Sequence, residues 1–132
     1  MINTSVIGLG AMGAGMAGNL HRAGMLVGAW NRSPERGKAA AKQHGFTLAD
    51  DISTAVKNAG LIITCVSADS DLIEVTEKLA PILRRGNIVL DTSTVSSKTA
   101  LHAADIYAEY NVDFIDGPVS GGREGAEKGT MV

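Results

Sequence analysis

Short apolar runs alternate along the chain with stretches in which apolar residues recur every three or four positions. The runs predict buried strands over residues 5–9, 26–30, 46–48, 61–66, 87–90 and 113–116. The stretches between them predict helices. Strands that alternate with helices in this way indicate βα units, in which a parallel sheet is covered by helices on both faces. We therefore predict a doubly wound α/β domain over residues 1–132.

Local signals mark where several helices begin and end. Ser33 followed by Pro34 begins a helix that continues to His44, and Asp50 or Asp51 caps a brief helix ending near residue 60. The acidic residues at positions 71 and 74 have the spacing of a capping box at the start of the next long helix. The last three residues, 130–132, read as a strand that has only begun.

The first predicted strand runs directly into a glycine-spaced turn and then a helix. The spacing G-x-G-x-x-G, in the context of strand, turn and helix, is the fingerprint of a dinucleotide site in a Rossmann fold. In that motif the first glycine allows the tight turn, the second lets a pyrophosphate approach the backbone, and the third lets helix and strand pack closely. We expect the cofactor to be bound here by Gly8, Leu9, Gly10, Ala11, Met12 and Gly13.

The end of the second strand indicates which dinucleotide is bound. A site for NAD usually places a carboxylate there, about 20 residues after the glycines, to bind the adenosine ribose. This chain has Asn31, Arg32 and Ser33 instead, with no carboxylate before Glu35. A guanidinium can pair with a 2′-phosphate and stack on adenine. We predict that NADP(H) is preferred over NAD(H), with Arg32 as the main determinant.

Three polar loops follow later strands, at the edge where ligands of such sheets bind. Val66 and Ser67 are expected to line the adenosine or the nicotinamide ribose. The loop over residues 91–96 is rich in hydroxyl groups. In the third loop, Ser120, Gly121 and Gly122 predict a nest of backbone N–H groups for a carboxylate or a phosphate.

Composition and charge indicate which kinds of partner, cellular location and metal site to expect. The chain has 14 acidic and 12 basic residues, a net charge of −2, so no basic face indicates nucleic acid or an anionic membrane as a partner. Its single cysteine excludes an internal disulfide, its start lacks the features of a signal peptide, and no apolar run reaches the roughly 20 residues of a membrane span. We expect a cytoplasmic domain. The three histidines lack metal-ligand spacing, and no metal site is predicted.

Several motifs together resemble the β-hydroxyacid dehydrogenases, which include 3-hydroxyisobutyrate dehydrogenase. They are the glycine turn with Asn19 and Leu20, the Asp-Thr-Ser-Thr of residues 91–94, and the segment of residues 116–122 with the glycines that follow it. The resemblance implies that Thr94 lies by the nicotinamide and that Ser120, Gly121 and Gly122 hold the carboxylate of a small substrate. The Asn-Arg pair resembles that of the members that use NADPH.

The resemblance also implies a reaction, a hydride transfer between NADP(H) and a small β-hydroxy acid or semialdehyde. The family's catalytic lysine stands in a G-x-x-x-K-x-x-x-N pattern that lies beyond Val132, and the helical C-terminal domain is likewise absent from these residues. We therefore expect no catalytic residue in this chain and no turnover by it alone. A homo-oligomer is allowed, since surface that the second domain would cover is exposed. The alternatives are a cofactor domain of the 6-phosphogluconate dehydrogenase or imine reductase type, or a non-catalytic nucleotide-binding module.

Overall fold

The alternation of apolar runs and helices folds into a parallel sheet with helices on both faces. The computed structural model describes residues 2–132, within which five strands lie in the order β2-β1-β3-β4-β5. The strands are β1 (Thr4–Ile7), β2 (Leu26–Trp30), β3 (Leu61–Thr64), β4 (Ile88–Asp91) and β5 (Asp113–Asp116). All four pairings between neighbours are parallel. The predicted doubly wound α/β class is confirmed.

Within residues 2–132, six helices connect and cover the strands. They are α1 (Ala11–Arg22), α2 (Pro34–His44), α3 (Ile52–Val56), α4 (Asp69–Leu79), α5 (Ser97–Ala108) and α6 (Gly122–Lys128), with a short 3-10 turn at Ala80–Ile82. The predicted bounds of β2 and α2 are confirmed, as is Asp51 as the cap of α3, whose carboxylate accepts the N–H of Thr54 at 2.7 Å. No helix within residues 2–132 is both long and apolar enough to cross a bilayer.

The core has two halves, one on each face of the sheet. Because successive side chains of a strand point to opposite faces, Val6 and Ile63 lie on one side and Ile7 and Ile62 on the other. The first side packs against α1 and α2, and the second against α3, α4 and α5, where Tyr107 is fully buried. Burial on both faces explains why the strands read as continuous apolar runs.

Two predicted strands are absent from the described residues. Residues 46–48 form no ladder: Phe46 is buried in the core beside α1, and the segment adds a single backbone bond near β2, from the N–H of Ala49 to the carbonyl of Ala29. Two apolar residues after a helix-ending glycine, Phe46 and Leu48, reach the core without forming a strand. Residues 130–132 are also not a strand, although Val132 and Ser120 exchange two backbone hydrogen bonds.

The register of the sheet gathers the functional loops at one edge. Ile7 is paired with Trp30 on one side and with Thr64 on the other, and Thr64 is paired in turn with Asp91. These four residues end their strands in one row. The loops that follow them, including the glycine turn, therefore begin side by side at the carboxyl edge, where α/β sheets bind ligands.

Candidate cofactor site

Packing requires two of the three glycines in the turn after β1. Gly8 has a φ of +104°, in the left-handed region, and a Cβ there would overlap the carbonyl oxygen of Cys65. A Cβ on Gly13 would overlap the carbonyl oxygen of Gly8, so α1 can approach the turn only with glycine at that position. The roles predicted for the first and third glycines, a tight turn and close helix packing, are confirmed.

Gly10, the second glycine, faces open space. No atom of the described residues lies within 4 Å of a Cβ built there, and its backbone is extended, with φ −73° and ψ −161°. Gly10 is the N-cap of α1, whose first turn carries no acidic side chain. The first N–H groups of a helix have no partner within it, and the positive end of the helix dipole lies there. This end of α1 therefore fits the pyrophosphate of a dinucleotide, with the backbone of Gly10, Ala11 and Met12 as its binding surface.

A pocket opens beside the turn, between the ends of β1, β2 and β3. It joins the glycine turn to residues from the loops after β2 and β3 and from the first turns of α2 and α4. The lining residues are Ile7, Gly8, Gly10, Trp30, Asn31, Arg32, Ser33, Arg36, Cys65, Val66, Ser67, Asp71 and Val75. The structure thus brings together seven of the residues predicted to bind the cofactor: Gly8, Gly10, Asn31, Arg32, Ser33, Val66 and Ser67.

Leu9 and Asn31 support the turn. The Leu9 side chain is buried in the core, and its N–H donates to Oδ1 of Asn31 at 2.8 Å. Nδ2 of Asn31 donates to the carbonyl of Ser33 at 2.9 Å. The asparagine therefore ties the glycine turn to the loop after β2. Leu9 was predicted to contact the cofactor, but its buried side chain and occupied N–H give it a structural role instead.

Arg32 lines the pocket as expected, but its guanidinium is already paired with two carboxylates. Its Nη1 is 2.7 Å from Oε2 of Glu74 and 3.1 Å from Oδ1 of Asp71. The hydrogen bond with Glu74 and the charge of Asp71 raise the pKa of the guanidinium above its ordinary value, and the bond from Arg32 lowers the pKa of Glu74. The predicted capping box of Asp71 and Glu74 is wrong, because α4 begins at Asp69 with Ala68 as N-cap and both carboxylates turn to Arg32.

A buried carboxylate holds the loops after β3 and β4 together. Oδ1 of Asp91 accepts hydrogen bonds from Thr64 Oγ1 at 2.8 Å and Ser93 Oγ at 2.7 Å, and Ser93 Oγ accepts the N–H of Val66 at 2.8 Å. Asp91 is fully buried, and burial raises its pKa. Its Oδ2 has no partner among the described residues. This network orients the Val66 backbone, which lines the pocket.

Eight residues predicted to bind ligands are not part of this lining: Leu9, Ala11, Met12, Gly13, Thr94, Ser120, Gly121 and Gly122. Thr94 is exposed on the loop after β4 and is not part of the lining described within residues 2–132. Ser120 is exposed before α6, and its N–H donates to the carbonyl of Val132 at 2.6 Å, so it is not free for a substrate. Gly121 and Gly122 have φ values of +117° and +61°. Of the predicted nest, these two glycines remain to offer N–H groups.

The segment that begins with these glycines packs directly on α1. A Cβ on Gly15 would overlap the Ala126 backbone of α6, and Nδ2 of Asn19 donates to the Ala126 carbonyl. Arg123, immediately after Gly122, lines a second groove together with Gly10. These contacts hold α6 against α1, and Arg123 reaches a groove that Gly10 also lines, although the two motifs are far apart in sequence.

Four charged residues near the turn were not predicted to belong to the site. Arg36 was detectable, because it lies in the first turn of the predicted helix that directly follows the loop with Arg32. Asp71, Glu74 and Arg123 come from distant segments and carried no comparable signal. Within residues 2–132, no cluster of three or more histidine, cysteine or acidic side chains could hold a metal ion.

Together these features define a dinucleotide-binding domain of the Rossmann class. The family described as the NAD binding domain of 6-phosphogluconate dehydrogenase matches residues 3–132, and the chain belongs to it. The domain binds a nicotinamide cofactor, NAD or NADP.

Several relatives of this chain are named as dehydrogenases. 2-(Hydroxymethyl)glutarate dehydrogenase of Eubacterium barkeri is 34% identical over 98% of this chain and 44% of its own length. A probable mitochondrial 3-hydroxyisobutyrate dehydrogenase of Dictyostelium discoideum is 32% identical over 95% of this chain and 40% of its own length. The 3-hydroxyisobutyrate dehydrogenase of Mycobacterium tuberculosis, solved with L-serine, superposes with a TM-score of 0.92 at 30% identity, over 99% of this chain and 45% of the other.

This chain thus spans less than half the length of these relatives, and the match lies in their nucleotide-binding domain. The resemblance to the β-hydroxyacid dehydrogenases is confirmed. The three alternatives, a 6-phosphogluconate dehydrogenase type, an imine reductase type and a non-catalytic module, are not favoured.

Proposed function

We propose that this chain is the cofactor domain of an NADP(H)-preferring oxidoreductase that interconverts a small β-hydroxy acid and the corresponding semialdehyde. The observation that carries the cofactor preference is the position of Arg32, at the end of β2 and in the pocket beside the glycine turn. Arg36 lines the same pocket and makes no ion pair with any of residues 2–132. Two guanidinium groups suit a 2′-phosphate, because their planar forks match phosphate oxygens.

The residues of the chain bind and orient the cofactor. The backbone of Gly10, Ala11 and Met12 would hold the pyrophosphate, and Arg32 with Ser33 the adenosine ribose and its phosphate. Val66 and Ser67, oriented through the Asp91 network, would line the far side of the pocket. A bound nicotinamide cofactor supplies or accepts the hydride, while the protein fixes its position and excludes competing reactions.

The substrate proposal concerns a small molecule with a carboxylate. Gly121 and Gly122 offer backbone N–H groups beside α1, an arrangement suited to an anion. The relative solved with L-serine, itself a β-hydroxy acid, supports this class of substrate. We assign no proton donor among these residues. Lys128, the lysine nearest this segment in sequence, pairs with Glu124 on the surface of α6.

The test of the cofactor preference is Arg32→Ala. Trp30 is the only tryptophan in the chain and lines the pocket, so its fluorescence reports nucleotide binding directly. We expect the affinity for NADPH to fall about tenfold, as for loss of a hydrogen bond to a charged group, and the affinity for NADH to change less than about twofold, because NADH lacks the 2′-phosphate. The matched control is Arg85→Ala, which removes the same charge at an exposed position. An unchanged ratio of the two affinities in Arg32→Ala would refute the assignment.

A further inference from the structure

Two carboxylates face Arg32 across the mouth of the pocket. We infer that Asp71 and Glu74 are specificity-determining residues, which oppose binding of a 2′-phosphate at Arg32 and keep the pocket open to NAD(H). This inference rests on the proposed role of Arg32. It assigns a function to the first turns of α4, a part of the chain outside the glycine fingerprint and outside the loop after β2.

The geometry of the three side chains carries the inference. Arg32 follows β2 and α4 follows β3, and these strands lie on either side of β1. The ion pairs at 2.7 and 3.1 Å therefore span the end of β1, next to the glycine turn. Asp71 and Glu74 are three residues apart and so share one face of α4. Both bonds go to the same nitrogen, Nη1 of Arg32.

An arriving 2′-phosphate must compete with these carboxylates. A phosphate can pair with Arg32 end-on, through Nη1 and Nη2, or side-on, through Nε and Nη2. Because Asp71 and Glu74 both engage Nη1, the end-on pairing requires the phosphate to displace them. It also comes close to two negative charges, and like charges at short range repel. Asp71 lines the pocket with 22% of its side chain exposed, so its charge is only partly screened by solvent.

A ribose without the 2′-phosphate would not be repelled by the carboxylates of Asp71 and Glu74. Its 2′-hydroxyl can donate a hydrogen bond to a carboxylate, which is how acidic residues select NAD in related sites. Asp71 places a carboxylate in the pocket from α4, although none lies between the end of β2 and Glu35. The charged residues in the pocket lining are Arg32, Arg36 and Asp71. Glu74 lies beside Arg32, with Lys78 at 3.4 Å from Glu74.

The experiment compares two probes that differ only in the 2′-phosphate, adenosine 2′,5′-bisphosphate and AMP. Both are titrated by Trp30 fluorescence into the chain, Asp71→Asn, Glu74→Gln and the double variant, with thermal melting to verify folding. The matched control is Glu77→Gln, which removes a charge from an exposed position of α4 that makes no ion pair within residues 2–132. For the double variant we expect preference for the bisphosphate to rise roughly fivefold, and for Glu77→Gln to change less than about 1.5-fold.

Each variant reports on a different claim. A double variant whose preference equals that of the unsubstituted chain, or that of Glu77→Gln, overturns the inference. In that event a loss of preference in Arg32→Ala still supports the proposed NADP(H) site. If instead Arg32→Ala leaves the preference unchanged, the proposed site itself fails. The double variant therefore tests the role of the two carboxylates, and Arg32→Ala tests the proposed NADP(H) site.

Discussion

Replacing Gly10 with alanine is expected to remove most nucleotide affinity while leaving the fold intact. The new Cβ meets no atom of the described residues within 4 Å, and the backbone at Gly10 is one that alanine adopts. The free energy of unfolding should therefore change by less than about 1 kcal/mol. The methyl group projects into the space where the pyrophosphate approaches α1. We expect the affinity for NADPH to fall about 10- to 100-fold, the effect of losing a hydrogen bond to a charged group.

The measurement is a titration of NADPH followed by Trp30 fluorescence, with urea unfolding monitored in parallel. Gly60→Ala provides the matched control, because a Cβ there has only ordinary contacts at 3.9 Å and Gly60 precedes β3, at the opposite edge of the sheet. Both variants should unfold at similar urea concentrations, and only Gly10→Ala should lose affinity. Full NADPH binding by Gly10→Ala would show that the pyrophosphate does not approach this turn.

Gly13→Ala is expected to have the opposite effect, a loss of stability. The added Cβ would overlap the carbonyl oxygen of Gly8, a backbone atom that cannot rotate away. Relief requires α1 to shift away from the turn and from Gly8, whose φ of +104° and close packing against Cys65 leave no room for a Cβ of its own. We expect the free energy of unfolding to fall by about 3 kcal/mol, the upper range for overpacking.

Urea unfolding followed by circular dichroism measures this loss, and Gly10→Ala is the natural comparison, since it makes the same chemical change three residues earlier. A domain of this size is stabilised by only about 5–15 kcal/mol, so a loss of this size moves the midpoint substantially. Equal midpoints for the two variants would mean that α1 does not depend on a close approach to the turn.

Local patterns predicted much of the fold. The apolar runs of β1 and β3 and the signals that bound α2, Pro34 and Gly45, depend on neighbours in sequence. The structure has α2 at its predicted bounds and both strands, each of which ends two residues earlier than predicted. The glycine turn was predictable for the same reason, since strand, turn and helix are contiguous. The strand predicted over residues 46–48 is wrong, because Phe46 fills the core equally well without strand pairing.

The charge environment of the site was not predictable in the same way. The spacing of Asp71 and Glu74 is equally compatible with a helix cap and with a pair of ligands for a distant cation. Only the sheet order, which places α4 opposite the loop after β2, brings them to Arg32. Likewise, the occupied N–H of Ser120 depends on Val132, whose approach to it no local pattern encodes.

The most direct measurement of the central claim is a crystal structure of this chain with NADPH. We expect the pyrophosphate within hydrogen-bond distance of the backbone at Gly10 and Ala11, and the 2′-phosphate beside Arg32 in the pocket that Trp30 lines. A nucleotide bound elsewhere on the chain, or one at the turn whose 2′-phosphate points away from Arg32, would contradict it.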